Sequence, residues 1–108
     1  MRTAWFRHVV SLLDRFDFLA VPTAQVFPFP IDRHWPAEIA GRKMDSYHRW
    51  MEVCALATMA GCPAVNVPVG FDDTGRPMGM QLIGRPRGDL AVLTLAAAYE
   101  EVTPYGVR

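Results

Sequence analysis

Apolar residues recur at helical spacing over residues 4–16, where Trp5, Val9, Leu12, Leu13 and Phe16 share one face and Arg7, Ser11 and Asp14 the other. This spacing predicts an opening helix. Phe18-Leu19-Ala20-Val21 follows as an unbroken apolar run ended by Pro22, the pattern of a strand buried on both faces of a parallel or mixed sheet. From residue 22 to 42 the periodicity disappears. Pro22, Pro28, Pro30 and Pro36 exclude regular helix or central strand through most of that stretch. It nevertheless carries Val26, Phe27, Phe29, Ile31 and Trp35, and a long loop with that much apolar surface has to lie against something.

A second helix is predicted over residues 47–60, capped by Asp45 or Ser46, closed by Gly61 and stopped by Pro63. Ala64-Val65-Asn66-Val67 reads as the next buried strand, with Pro63 and Pro68 bracketing it and barring its growth. Paired Asp72 and Asp73, then Gly75 and Pro77, make a turn. A third strand over 78–84 completes a hairpin. Asp89 is expected to cap a last helix over 90–102, with Leu90, Leu93, Leu95, Ala97 and Tyr99 as its apolar positions. Gln81, alone among apolar neighbours, is expected to satisfy backbone groups at the sheet rim.

The order is α/β, with about three short strands and three helices. Strands this short and this uniformly apolar leave both faces and both edges in want of cover. One account is a small α/β domain of its own; the sharper one is a slice through a larger sheet.

Composition narrows the function classes. At 108 residues the chain is one domain or a piece of one, and 51% apolar content is high for a soluble chain of that size. Eleven basic and eleven acidic residues cancel, and the basic ones, all Arg except Lys43, are scattered. Without a basic stripe, nucleic-acid binding is not expected. Residues 1–8 do not read as a signal peptide, and no apolar run approaches the ~20 residues of a membrane span, so a cytoplasmic location is expected. Cys54 and Cys62 lack CxxC spacing and read as reduced packing cysteines, with a disulfide or metal pair as the other possibility. His8, His34 and His48 are dispersed, and His48 with Glu52 on one helix face does not make a metal site. No metal and no cofactor are expected.

Two stretches carry a family resemblance. Ala60-Gly61-Cys62-Pro63-Ala64-Val65-Asn66-Val67-Pro68-Val69-Gly70 and, at the proper distance, Gly75-Arg76-Pro77-Met78-Gly79-Met80-Gln81-Leu82-Ile83-Gly84 resemble two elements near the C-terminus of amidase-signature hydrolases. Upstream, Asp17-Phe18-Leu19-Ala20-Val21-Pro22-Thr23 is similar to a strand of that family, and Asp89-Leu90 falls where its last helix opens. Three elements in order cover about residues 15–102. The whole chain, 1–108, is therefore expected to be a partial amidase domain, a fragment of that family's mixed-sheet fold.

The resemblance implies a chemistry whose parts lie elsewhere. In the family a serine attacks the amide carbonyl, activated through a second serine held by a cis peptide bond and a lysine base, beside a Gly/Ser-rich oxyanion loop. This chain holds two serines, Ser11 and Ser46, one lysine and no Gly/Ser-rich run. No catalytic residue is assigned. Lys43 and Ser46 could touch across a helical turn, but Ser46 is better read as a cap. The resemblance places the helix-to-strand region along the substrate pocket of the complete enzyme. That makes Trp50, Met51 and Thr58 candidate wall residues, with core packing as the rival account of Met51 and Thr58 standing where relatives often carry Asn. The expected function is the C-terminal part of a linear-amide hydrolase, supplying sheet scaffold and pocket wall and inert toward amides alone. Its expected partners are the remainder of an amidase domain, or a second copy through uncovered apolar surface, and a small amide substrate. A non-catalytic docking module and a truncated gene product are the alternatives.

Overall fold

In the computed structural model, residues 1–105 are described; residues 106–108 of the expected 1–108 domain lie outside the described residues. The opening helix α1 spans Arg2–Leu13 and buries Val9 and Leu13. It stops three residues before the predicted end. Phe16 therefore leaves the apolar face, stands exposed, and carries the Arg15 guanidinium 5.6 Å from its ring centre.

Strand β1 (Leu19–Pro22) follows. The stretch expected to be loop then contains a small hairpin, β2 (Glu38–Ile39) and β3 (Arg42–Lys43). Ala40 (φ 50°) and Gly41 (φ 78°) at its tip both take the left-handed conformation that tight two-residue hairpins need.

The helix predicted over 47–60 is broken into α2 (Tyr47–Trp50), a tight helical turn at Glu52–Ala55, and α3 (Leu56–Ala60). Ser46 occupies the cap position with extended backbone, but its side chain makes no capping bond. Gly61 closes α3 as predicted, left-handed at φ 64°, with its N–H on Thr58 O at 3.1 Å and that of Cys62 on Ala57 O at 3.1 Å.

Strands β4 (Ala64–Phe71) and β5 (Pro77–Ile83) form the expected hairpin. β4 is twice as long as predicted and runs through Pro68. It can do so because it is an edge strand, and a register shift between Pro68 and Gly70 absorbs the missing donor. The sheet order is β1-β5-β4 and every pairing is antiparallel, with Val21 and Asn66 both opposite Gln81. The long helix α4 (Asp89–Val102) closes the described chain. Gly88, not Asp89, is its N-cap; Asp89 lies in the first turn, where a carboxylate favours the helix dipole.

α4 and the α1–α3 pair cover opposite faces of the sheet. Neighbouring strand residues point to opposite faces. Leu82 packs with Val67 and Ala96, while Leu19, the partner of Ile83, packs with Val9, Leu13 and Ala60. These are two small cores, not one. α4 buries Val92 and Ala96, which the sequence did not single out; of the expected positions Leu95 and Tyr99 pack half-buried against that core, while Leu90 and Leu93 are 79% and 60% exposed. Apolar residues at nearly every position of that helix had left its facing undetermined. The result is a slab of 41 × 39 × 19 Å with a radius of gyration of 15.4 Å, against about 13 Å for a compact chain of this length.

Candidate functional site

The broken helix decides where the site's aromatic wall stands. In an unbroken helix the Val53 N–H would bond to the Arg49 carbonyl. Here the side-chain amide of Gln25 stands between them: its Oε1 accepts from Val53 N at 2.9 Å and its Nε2 donates to Arg49 O at 3.3 Å. A side chain inserted into the ladder is a sufficient cause of the break. Gln81, 6% exposed, fixes the next peptide by donating to Val53 O at 3.1 Å and also to Pro22 O at 3.1 Å. Its role in satisfying backbone is as expected, but it works from the central strand rather than from the rim. The chain turns at Met51 (φ −116°, ψ 22°).

Just before the break, Trp50 enters an open cleft of about 440 Å³ between residues 23–29 and the β4–β5 hairpin. Trp50 meets Phe29 edge-on at 5.4 Å and Tyr47 at 5.8 Å, and Tyr47 in turn meets Trp35 at 6.3 Å. The indole N–H groups of Trp5 and Trp35 are bonded to Leu56 O and Met44 O. That of Trp50 is buried with no partner among the described residues. Met51, at the break, and Thr58, exposed on α3, are not among the residues lining this cleft.

Thr23, Asn66 and Gly79 do line it, and none was singled out from the sequence. A lone Asn within the apolar run Ala64–Val67 was the available signal. Thr23 Oγ1 donates to Asn66 Oδ1 at 3.1 Å, and Cys54 Sγ lies 3.2 Å from Thr23 O. The rim is tied down by Arg76, whose guanidinium donates to Pro28 O at 3.4 Å, sits 5.6 Å from the Phe27 ring centre, and pairs with Asp72 at 2.7 Å. The backbone N–H of Arg76, then the Thr74 hydroxyl, the Arg76 guanidinium and the Thr74 N–H, hold the Asp72 carboxyl well below the usual aspartate range.

Lys43 and Ser46 are both exposed, with no hydrogen bond between them among the described residues. Cys54 and Cys62 are free, and burial pushes the Cys62 thiol up, away from the reactive thiolate. Among the described residues no group of three His, Cys, Asp or Glu side chains is placed to hold a metal, and no helix is long and apolar enough to cross a membrane.

Comparison with known proteins places this geometry. The model of the Amidase family matches residues 1–93. The chain is 37% identical over its full length to 21% of a glutamyl-tRNA(Gln) amidotransferase subunit of Chloroflexus aggregans. It is 48% identical over 54 residues, half of the chain and 9% of the relative, to a fatty acid amide hydrolase of Arabidopsis thaliana. Among solved structures, 96% of it superposes on 22% of a bacterial aryl acylamidase of the amidase-signature enzymes, with a TM-score of 0.87 and 33% identity. The chain spans about a fifth of the length of the amidotransferase subunit and of the aryl acylamidase chain.

Proposed function

Since the chain belongs to the amidase family, we propose that it forms the late sheet, one covering helix and part of the substrate-pocket wall of a hydrolase of linear amides. The nucleophile, the base and the oxyanion donors would come from the rest of that enzyme. One observation supports this: nearly the whole chain superposes on about a fifth of an aryl acylamidase, and the chain itself carries a cleft walled mostly by aromatic and aliphatic side chains, with no ionisable group among them. A hydroxyl without a base is a poor nucleophile, and exposed Ser11, Ser46 and Lys43 offer no such pairing. On this reading Trp50 is the wall residue facing the cleft. Met51 sets the turn that brings it there, and Thr58 contributes from the third helix toward the missing part of the fold. Alone, the chain is inert toward amides.

The test is complementation. The chain is assayed for acetamide and anilide hydrolysis by itself, and then mixed with the upstream portion of an amidase-signature enzyme that carries the Gly/Ser-rich loop. Turnover is expected only in the mixture. Turnover by the chain alone, abolished by Lys43→Ala, would replace this reading with a Ser-Lys dyad. Exposed Leu90 and Leu93 on α4 favour a second reading, a non-catalytic docking module. Stable association with the upstream portion but no turnover would select it.

A further inference from the structure

The three-stranded sheet has two outer edges, and they are finished differently. At β4 the edge is blunted. Pro68 has no N–H to offer, its carbonyl accepts from the Tyr99 hydroxyl at 2.9 Å, and the register shift between Pro68 and Gly70 bends the strand. Tyr105 lies over the same end, where a Cβ on Gly70 would stand 3.0 Å from its hydroxyl.

At β1 the edge stays open. Thr23 N donates to Gly79 O at 2.9 Å, so Thr23, and by alternation Val21 and Leu19, turn their backbone groups toward β5. Ala20 and Pro22 turn theirs outward. The Pro22 carbonyl already accepts from Gln81, whereas the Ala20 N–H and carbonyl have no partner among the described residues. Phe18 to Pro22 carry no charge that would repel a neighbouring strand. Both faces beside β1 are uncovered as well. On one, Ala20 and Pro22 are exposed next to a groove of about 740 Å³ bounded by Phe18, Leu90 and Leu95. On the other, an apolar hollow of about 220 Å³ opens among Leu19, Val21, Trp5, Leu12 and Leu56.

This edge is complementary to itself. A second copy related by a twofold axis through Ala20 runs antiparallel to β1, and the two Ala20 residues then exchange two N–H···O bonds. Phe18 N–H faces the carbonyl of the partner's Pro22, and the same bond recurs by symmetry. Leu19 meets the partner's Val21 beside the apolar hollow. With eleven basic and eleven acidic residues, the chain has no net charge to oppose the approach. We propose that the chain by itself forms a closed dimer through β1, joining two three-stranded sheets into one. The blunted β4 edges stop further growth. The dimer is independent of the pocket-wall reading, since it concerns the chain without the rest of an enzyme.

Light scattering after size exclusion reads the mass as the chain is diluted. A change from dimer to monomer is expected, with no larger species. In chain labelled with nitrogen-15, exchange of the Ala20 amide should slow as the dimer forms, while that of Asn66 on the β4 edge stays unchanged. Ala20→Pro removes two bonds at once by symmetry and should weaken the dimer roughly tenfold to thirtyfold. Ala20→Lys and Ala20→Glu each set like charges opposite one another at the axis and should weaken it roughly fivefold. Mixing those two variants should restore dimerisation, which a folding defect does not produce. Ala64→Lys, on the outer edge of β4, should leave the dimer as it is. A monomer at all concentrations, open-ended assembly, wild-type dimerisation in Ala20→Pro, or no gain on mixing Ala20→Lys with Ala20→Glu each overturns the proposal. So does a monomer whose Ala20 amide is protected only once the upstream portion of an amidase-signature enzyme is added, a result that gives the edge to the rest of the domain.

Discussion

Two interruptions of regular structure in this chain are closed in opposite ways. At the β4–β5 turn, Asp72 Oδ1 accepts from Thr74 N at 2.9 Å, Thr74 Oγ1 at 2.8 Å and Arg76 N at 2.9 Å, so every partner lies within four residues. At Met51 the break is closed by Gln25 and Gln81, each bonded to Val53 across 28 residues of sequence. The turn needs only its own residues and Gly75, left-handed at φ 81°. The break exists only once the 22–42 segment and the sheet have both arrived, because two long loops must close before either bond forms. The aromatic wall of the cleft hangs on the second kind of closure. Trp50 is therefore placed by the whole fold, whereas the rim at Arg76 is placed by its immediate neighbours.

Removing the distant partners should expose that difference most strongly. Gln81→Leu keeps the volume and deletes the donor, leaving the Pro22 carbonyl and one lone pair of the Val53 carbonyl without the donor that joins them in a part-buried setting. A loss of about 2–4 kcal/mol is expected in urea unfolding, and a loss below about 1 kcal/mol would mean that the break closes without it. Gln25→Ala should cost less, about 1–2 kcal/mol, because the Val53 N–H and the Arg49 carbonyl it bridges can then bond to each other. That repair continues the helix through Met51. Helical circular dichroism should rise although stability falls, and the Trp50 indole should change environment. Unchanged helicity would show that something other than Gln25 breaks the ladder.

The same division explains what could be read from the chain. Gly61 as a helix stop, the Asp72–Gly75 turn and the pairing of the two strands beside it all follow from residues close in sequence. The family resemblance rested on signatures equally local, at Asp17–Thr23, Ala60–Gly70 and Gly75–Gly84. The broken helix was not legible, since its own residues from Tyr47 to Ala60 form an acceptable helical pattern and the disruption comes from an amide 28 residues upstream. The facing of α4 was obscured for another reason: apolar residues sit on both its sides, and only contact with Val67 and Leu82 selects Ala96 over Leu93. Of the residues lining the cleft, Trp50 was the one that the resemblance had put forward as a wall candidate. Asn66 and Thr23 were not legible, because their pairing depends on β1 and β4 flanking the same central strand.

The local closure gives the smallest expected effect, and one that depends on pH. The folded Asp72 carboxyl binds its proton more weakly than the unfolded one, since four hydrogen bonds favour the charged form. The sign follows: the stabilisation is complete above the ordinary aspartate range and is lost as pH falls below it toward the lower folded value. Asp72→Asn keeps an acceptor oxygen but removes the charge that holds Arg76. The variant should be slightly less stable than wild type at about pH 6, and the gap should narrow toward about pH 3 as the wild-type carboxyl begins to protonate. The change stays small because the turn faces solvent, where ion pairs contribute little. Other carboxylates titrate equally in both proteins, so the difference between their thermal melts isolates this one. If the cleft rim is placed locally, freeing Arg76 should also loosen Pro28 and Phe27 while leaving the Trp50 signal untouched. A Trp50 response as large as that of Gln25→Ala would mean that the rim and the wall are one cooperative unit, and the contrast between local and distant closure would not hold.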